Sequence, residues 1–137
     1  MTETANPVLN DLWAPFWNGA AEGRLVLPVC QTTDRAFWPP SVVSPFVTGG
    51  AVVWRETSAA GRLEARVTYR RGFQAAFKPR LPYGVGLVAL DAGPRLQAHI
   101  IDPDAAGSPQ PGARVAIGFS VLVEGAVPVP VLVEPRT

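Results

Sequence analysis

Downstream of Gly50 the chain alternates between apolar and polar positions in short runs; upstream it does not. Residues 62–69, RLEARVTY, put Leu63, Ala65, Val67 and Tyr69 on one side and Arg62, Glu64, Arg66 and Thr68 on the other, the period-two pattern of a half-buried strand. GVGLVALD (84–91, with Tyr83 before it), a Gly93-Pro94 turn and RLQAHIID (95–102) predict a hairpin. ARVAIGFSVLVE (113–124) and VPVPVLVE (127–134) predict two more strands around a turn at Gly125, and Pro128 with Pro130 confines the last to an edge or a broken strand. With AVVWRE (51–56) leading into the first alternating run, this makes about five strands in a meander. That is too few for a two-sheet sandwich, so a small, partly open five-stranded OB-fold barrel fits best.

Upstream, residues 11–22 place Leu12, Phe16 and Trp17 near helical spacing after Asp11, a candidate N-cap, and the run stops at Gly23. Pro15 is tolerable only in the first turn of such a helix. RLVLPVC (24–30) is strand-like, with a proline that belongs on an edge. FWPPSVVSPFVTGG (37–50) is broken by three prolines and two glycines and predicts a loop. The expected organisation is a helical arm at 1–23, a loop-rich segment at 24–50 and the barrel at 51–137.

Composition narrows the function classes. With 47% hydrophobic and 17% charged residues the chain is far from a disordered composition. A net charge of +1 gives no global attraction for nucleic acid or anionic lipid. No basic flank leads into an apolar run at the N-terminus, and no stretch approaches the ~18 apolar residues of a membrane span, so a cytoplasmic location is expected. One cysteine, Cys30, excludes an internal disulfide; one histidine, His99, leaves no metal site of the usual Cys/His kind.

Cys30 is nevertheless followed three positions later by Thr33, and Ser44 three positions later by Val47, in the layout of two C-x-x-C pairs from which one thiol survives. With PFWNGAAEGRLVLPVC, FWPP, SPFVTGG and LPYGVGLVALDAGPRL around them, in that order, these residues resemble the bacterial and archaeal family that joins a rubredoxin-like zinc ribbon to an OB-fold and is associated with acyl-CoA (domain of unknown function thirty-five). The resemblance runs from about Pro15 to about Val133. It makes the loop-rich segment a degenerate zinc ribbon, with Cys30, Thr33, Ser44 and Val47 at the family's ligand positions. Thr33 and Ser44 are poor zinc ligands and Val47 has no donor atom, so no structural zinc is expected. A structural zinc contributes roughly 10–16 kcal/mol of apparent binding free energy. Burying one large apolar side chain gives about 1.5–3 kcal/mol, so Phe37, Trp38, Val42, Val43, Phe46 and Val47, packed on the barrel, the helix or a partner subunit, are the expected replacement.

The resemblance implies a fold that is mainly β, with a five-stranded OB-fold barrel preceded by a short N-terminal helix and a degenerate ribbon. It also implies a role: a non-catalytic accessory subunit of a thiolase-like enzyme (aldolase, acyltransferase or thiolase) in acyl-CoA metabolism, stabilising that partner and bordering its CoA channel. A hydratase-like protein is a further implied partner, and CoA or acyl-CoA the implied ligand, with no tightly bound cofactor. The residues themselves add a cluster. Arg62, Arg66, Arg70, Arg71, Lys78 and Arg80 face a single acid, Glu64, and Arg70, Arg71, Lys78 and Arg80 fall in a loop-like stretch with Phe73 and Phe77. Guanidinium forks suit phosphates and aromatic faces suit adenine, so CoA contact, partner contact and plain solvation are all open readings of these residues.

The remaining reactive side chains have plainer readings. His99 sits on the polar side of its strand with no visible carboxylate or nucleophile. Cys30, among Val26, Pro28 and Val29, reads as a buried thiol. Asp102 and Asp104 in IDPDAAG read as turn carboxylates, and Trp13, Phe16 and Trp17 as core or interface anchors. No nucleophile–base constellation marks a self-contained enzyme. The rival reading is a single-stranded nucleic-acid-binding OB module, which the basic, Phe-bearing loop suits and the near-neutral charge opposes.

Overall fold

A computed structural model of the chain describes residues 11–70, 82–122 and 126–134. One short helix, α1 (Ala14–Ala21), precedes eight strands: β1 (Val26–Cys30), β2 (Arg35–Ala36), β3 (Val52–Glu56), β4 (Ala60–Tyr69), β5 (Tyr83–Leu90), β6 (Arg95–Ile100), β7 (Arg114–Ser120) and β8 (Val129–Val133). They form a three-stranded sheet in the order β2-β1-β3 and a closed barrel in the order β4-β5-β6-β8-β7. The fold is the expected mainly β architecture with a five-stranded barrel. The barrel is closed, not partly open, and it is no meander: β8 enters between β6 and β7, antiparallel to β7 and parallel to β6.

The prolines of the last strand shape that seam. Pro130 pairs with Phe119 on β7, and contact with β6 is reduced to one register pair, His99 with Val131. A proline supplies no ladder N–H, so the barrel closes where its hydrogen bonding is thinnest.

Four other local expectations change. The helix starts one residue before Pro15, with Trp13 at the N-cap and no side-chain cap, so Asp11 does not cap it. It ends as predicted at Gly23, whose φ of 75° a side chain would resist. Residues 52–56 do not lead into the barrel; they pair along the whole of β1 as the third strand of the ribbon sheet. Pro28 is therefore in a central strand. A residue's N–H and C=O face the same neighbour; Pro28 O accepts from Phe37 N at 3.0 Å on the β2 side. The missing donor thus falls where the two-residue β2 has already ended.

The fourth concerns the alternating run of β4. Leu63 pairs with inward Val88, but the register shifts between Leu63 and Ala65, after which Ala65, Val67 and Tyr69 oppose Leu87, Val85 and Tyr83 on the outer wall. The bulge inserts one extra residue and exchanges the two faces downstream of it. Val67, expected in the core, is 56% exposed, while Arg66 and Thr68 sit opposite the buried Gly86 and Gly84. Inside the barrel Leu63, Val88, Leu96, Val115 and Ile117 form one cluster that continues into Phe16, Leu25 and Leu27. Helix, ribbon and barrel thus share one continuous cluster, beside which Leu122 and Val131 form a smaller one.

Candidate functional site

The ribbon is held by a hydroxyl where its layout calls for a metal. Ser44, 8% exposed, accepts the backbone N–H groups of Phe46 at 3.0 Å and Val47 at 3.2 Å on its Oγ. Side-chain hydrogen bonding, from Ser44 first and Thr33 next, lowers the pKa of the fully buried Cys30 thiol to about 7 against the upward push of burial. A hydroxyl has two lone pairs and one hydrogen, so Ser44 is fully used. Around it, Ser44 N donates to Gly50 O, Gly50 N to Val47 O, and Asp34 N to Cys30 O, at 3.1, 3.0 and 2.7 Å. Asp34 adopts φ 59° at the first corner and Gly49 φ 73° at the second.

These residues do not fit a tetrahedral zinc. The Ser44 lone pairs are taken, Val47 offers no donor, and no group of three or more His, Cys, Asp or Glu side chains is close enough to hold a metal among the described residues. The apolar replacement expected for the metal is only half present. Phe37 is buried, and Trp38 packs on Trp13 and Phe16 at ring separations of 5.1 and 4.6 Å. Val42, Val43 and Phe46, by contrast, are 77%, 55% and 36% exposed. They sit at the tip of the loop, where Phe46 meets the buried Phe37 edge-on at a ring separation of 6.2 Å while the two valines stay exposed, so hydrogen bonding around Ser44 and packing at Phe37 and Trp38 hold the segment.

Two clefts flank this structure. One, of about 460 Å³, lies between the ribbon tip and the β5–β6 turn, lined among others by Arg35, Trp38, Phe46, Pro94 and Arg95. The other, of about 490 Å³, is bounded by Trp13, Trp17 and Trp38 against Leu87, Arg95 and Gln97 of the barrel wall. Trp38 and Arg95 border both. The three N-terminal aromatics divide accordingly: Phe16 is core, whereas Trp13 and Trp17 are part-exposed walls of a cleft.

The basic cluster comes apart in three dimensions. Arg66, part-buried, donates to Pro103 O (2.7 Å), Ser108 Oγ (2.8 Å), Pro109 O (2.9 Å) and Thr68 Oγ1 (3.3 Å), pinning the 103–109 loop to β4. Arg70 forks onto Asp104 through two 2.9 Å bonds, and each lowers or raises the other's pKa in the direction that keeps both charged. Arg62 reaches Gly112 O. Arg71, Phe73, Phe77, Lys78 and Arg80 lie outside the described residues. Elsewhere Arg24, Arg55, Arg95 and Arg114 are ion-paired with Glu22 and Glu56, Asp34, Glu64 and Asp91. Apart from Arg24–Glu22, two positions apart, these pairings link residues 21 to 32 positions apart, and no sequence signal announces them. Asp102 is exposed, and among the described residues its side chain makes no bond like that of Asp104.

His99 faces outward on β6, 6.2 Å from the Tyr83 ring, which stacks on Tyr69 at 5.2 Å; burial lowers its pKa. The chain's single thiol and single imidazole therefore stand in different sheets. No helix among the described residues is long and apolar enough to cross a membrane.

Comparison with known proteins agrees with this anatomy. Residues 17–43 match the family model described as the ChsH2 rubredoxin-like zinc ribbon domain, and residues 54–120 the ChsH2 C-terminal OB-fold domain. No curated protein matches the sequence. Among solved structures, a chain of the "Ltp2-ChsH2(DUF35) aldolase" superposes with a TM-score of 0.77 at 23% identity, over 93% of this chain and 97% of that one. The match places ribbon and barrel together in the same fold. This chain belongs to the ChsH2-type family in which a rubredoxin-like ribbon precedes an OB-fold, as a member with a degenerate ribbon that has no metal-holding group among the described residues.

Proposed function

We propose that this chain is a non-catalytic accessory subunit of a thiolase-like enzyme in acyl-CoA metabolism, stabilising that subunit and bordering the passage by which the CoA thioester reaches it. The observation that carries the reading is the end-to-end likeness to a chain of an aldolase assembly. The chemistry of the chain supports it: the thiol is sealed inside the ribbon and the imidazole is on the barrel wall, so the two most reactive side chains do not form a nucleophile–base pair. On this reading the ribbon works without zinc, and a hydratase-like protein is a second candidate partner. Arg70 is committed to Asp104, so an anionic group of CoA would meet it only in competition with that carboxylate.

The test is affinity purification of the tagged chain from its own cells, with mass spectrometry and metal analysis of what elutes. A thiolase-like subunit at stoichiometric level, without stoichiometric zinc, is the expected result. A chain that elutes alone, or that turns over an acyl-CoA by itself, refutes it. Binding of an oligonucleotide that weakens steeply with salt would favour the nucleic-acid reading instead.

A further inference from the structure

The ribbon tip exposes apolar surface in an ordered frame. Val42, Val43 and Phe46 project from a corner whose backbone is fixed by the Ser44 bonds and by the Ser44–Gly50 and Gly50–Val47 pairs. The tip also carries an unusual cation. Every other described arginine has an oxygen partner, whereas Arg35 has none among the described residues; its guanidinium lies 3.9 Å over the Phe46 ring. Beside it opens the cleft of about 460 Å³ lined by Trp38 and Pro94 among others.

An exposed apolar knob, an adjoining cleft and one cation without a counter-charge are what one side of a protein interface looks like before its partner arrives. Anchors of this kind bind when water is excluded around them. Covering Arg35 with apolar surface alone would strand a charge, so the matching surface must bring a carboxylate.

Resting on the accessory-subunit reading, we infer that the ribbon tip is the docking surface for the thiolase-like subunit: Val42, Val43 and Phe46 meet an apolar patch on it, and Arg35 receives a carboxylate from that patch.

The test measures the affinity of the full-length chain for the thiolase-like subunit recovered with it. The variants are Val43→Asp, Arg35→Glu, Arg35→Lys and, on the outer barrel wall, Val67→Asp. Val43→Asp and Arg35→Glu are expected to weaken binding by about tenfold or more each, Arg35→Lys much less, and Val67→Asp hardly at all. Unchanged thermal melts of the free variants, whose altered side chains are exposed or part-exposed, separate binding from folding. If the wild type binds the subunit and the tip variants bind equally well, the surface assignment is overturned and the accessory role stands. If the wild type binds no such subunit, both fall. If Val43→Asp instead abolishes a concentration-dependent self-association of the chain, the occupant is a second copy and the inference is wrong.

Discussion

Replacing Ser44 by alanine tests whether a hydroxyl has taken over from a metal. The variant removes the acceptor of two backbone N–H bonds, from Phe46 and Val47, and the side-chain hydrogen bond that most lowers the Cys30 pKa. A typical hydrogen bond contributes about 0.5–1.5 kcal/mol net, and an orphaned buried donor costs about 1–3 kcal/mol. Phe46 and Val47 are only partly buried and water can reach part of the corner, so the lower end applies to each amide. The total is about 2–3 kcal/mol. For a chain of this size that is a fall of about 8–12 °C in melting temperature. Urea unfolding gives the energy, and amide exchange at Phe46 and Val47 locates it, since those two amides should lose protection selectively. A double-mutant cycle with Cys30→Ala should show coupling, because one contact is deleted by both changes. A loss below about 0.5 kcal/mol, or an exchange pattern no different at 46 and 47 than in the barrel, would refute the claim that Ser44 is the hub of the ribbon.

Two further outcomes follow from the bonding. Arg66→Ala removes three donor contacts to the 103–109 segment and one to Thr68 on its own strand, and should cost about 2–3 kcal/mol, with Arg66→Lys recovering less than half because an ammonium cannot span the fork; melting temperature and proteolytic nicking within 103–109 report it. The Cys30 thiol is lowered in the folded chain to about 7 from an ordinary 9.0, so folding favours the thiolate: stability should rise as pH climbs from about 7 towards 9.0, and the rise should vanish in Cys30→Ala.

Much of the barrel was legible because its evidence is local. The run at 84–90 is apolar throughout, that at 95–100 alternates without interruption, a Gly-Pro turn separates them, and the β5–β6 register follows. The same pattern misled at 62–69, since a bulge adds one residue without any mark in Leu-Glu-Ala, and every face after it is exchanged. The broken knuckle was also readable, as was the unfitness of Thr33, Ser44 and Val47 for zinc, because donor chemistry is a property of the residue itself.

What the residues alone determined, then, is the kind of element each stretch can form and the chemistry each side chain can offer. Partners were decided only in three dimensions. Residues 52–56 could extend any sheet, and it is β1, more than twenty residues upstream, that claims them. Arg62, Arg66 and Arg70 read as members of one basic cluster because they are close in the chain. Their oxygens lie 34 to 50 residues further on, in loops that the closed barrel brings alongside β4. Likewise Val42, Val43 and Phe46 are apolar enough for a core, but the Ser44 corner turns them outward. Periodicity acts over a few residues, whereas burial and charge pairing are settled by which distant surfaces the fold sets against each other.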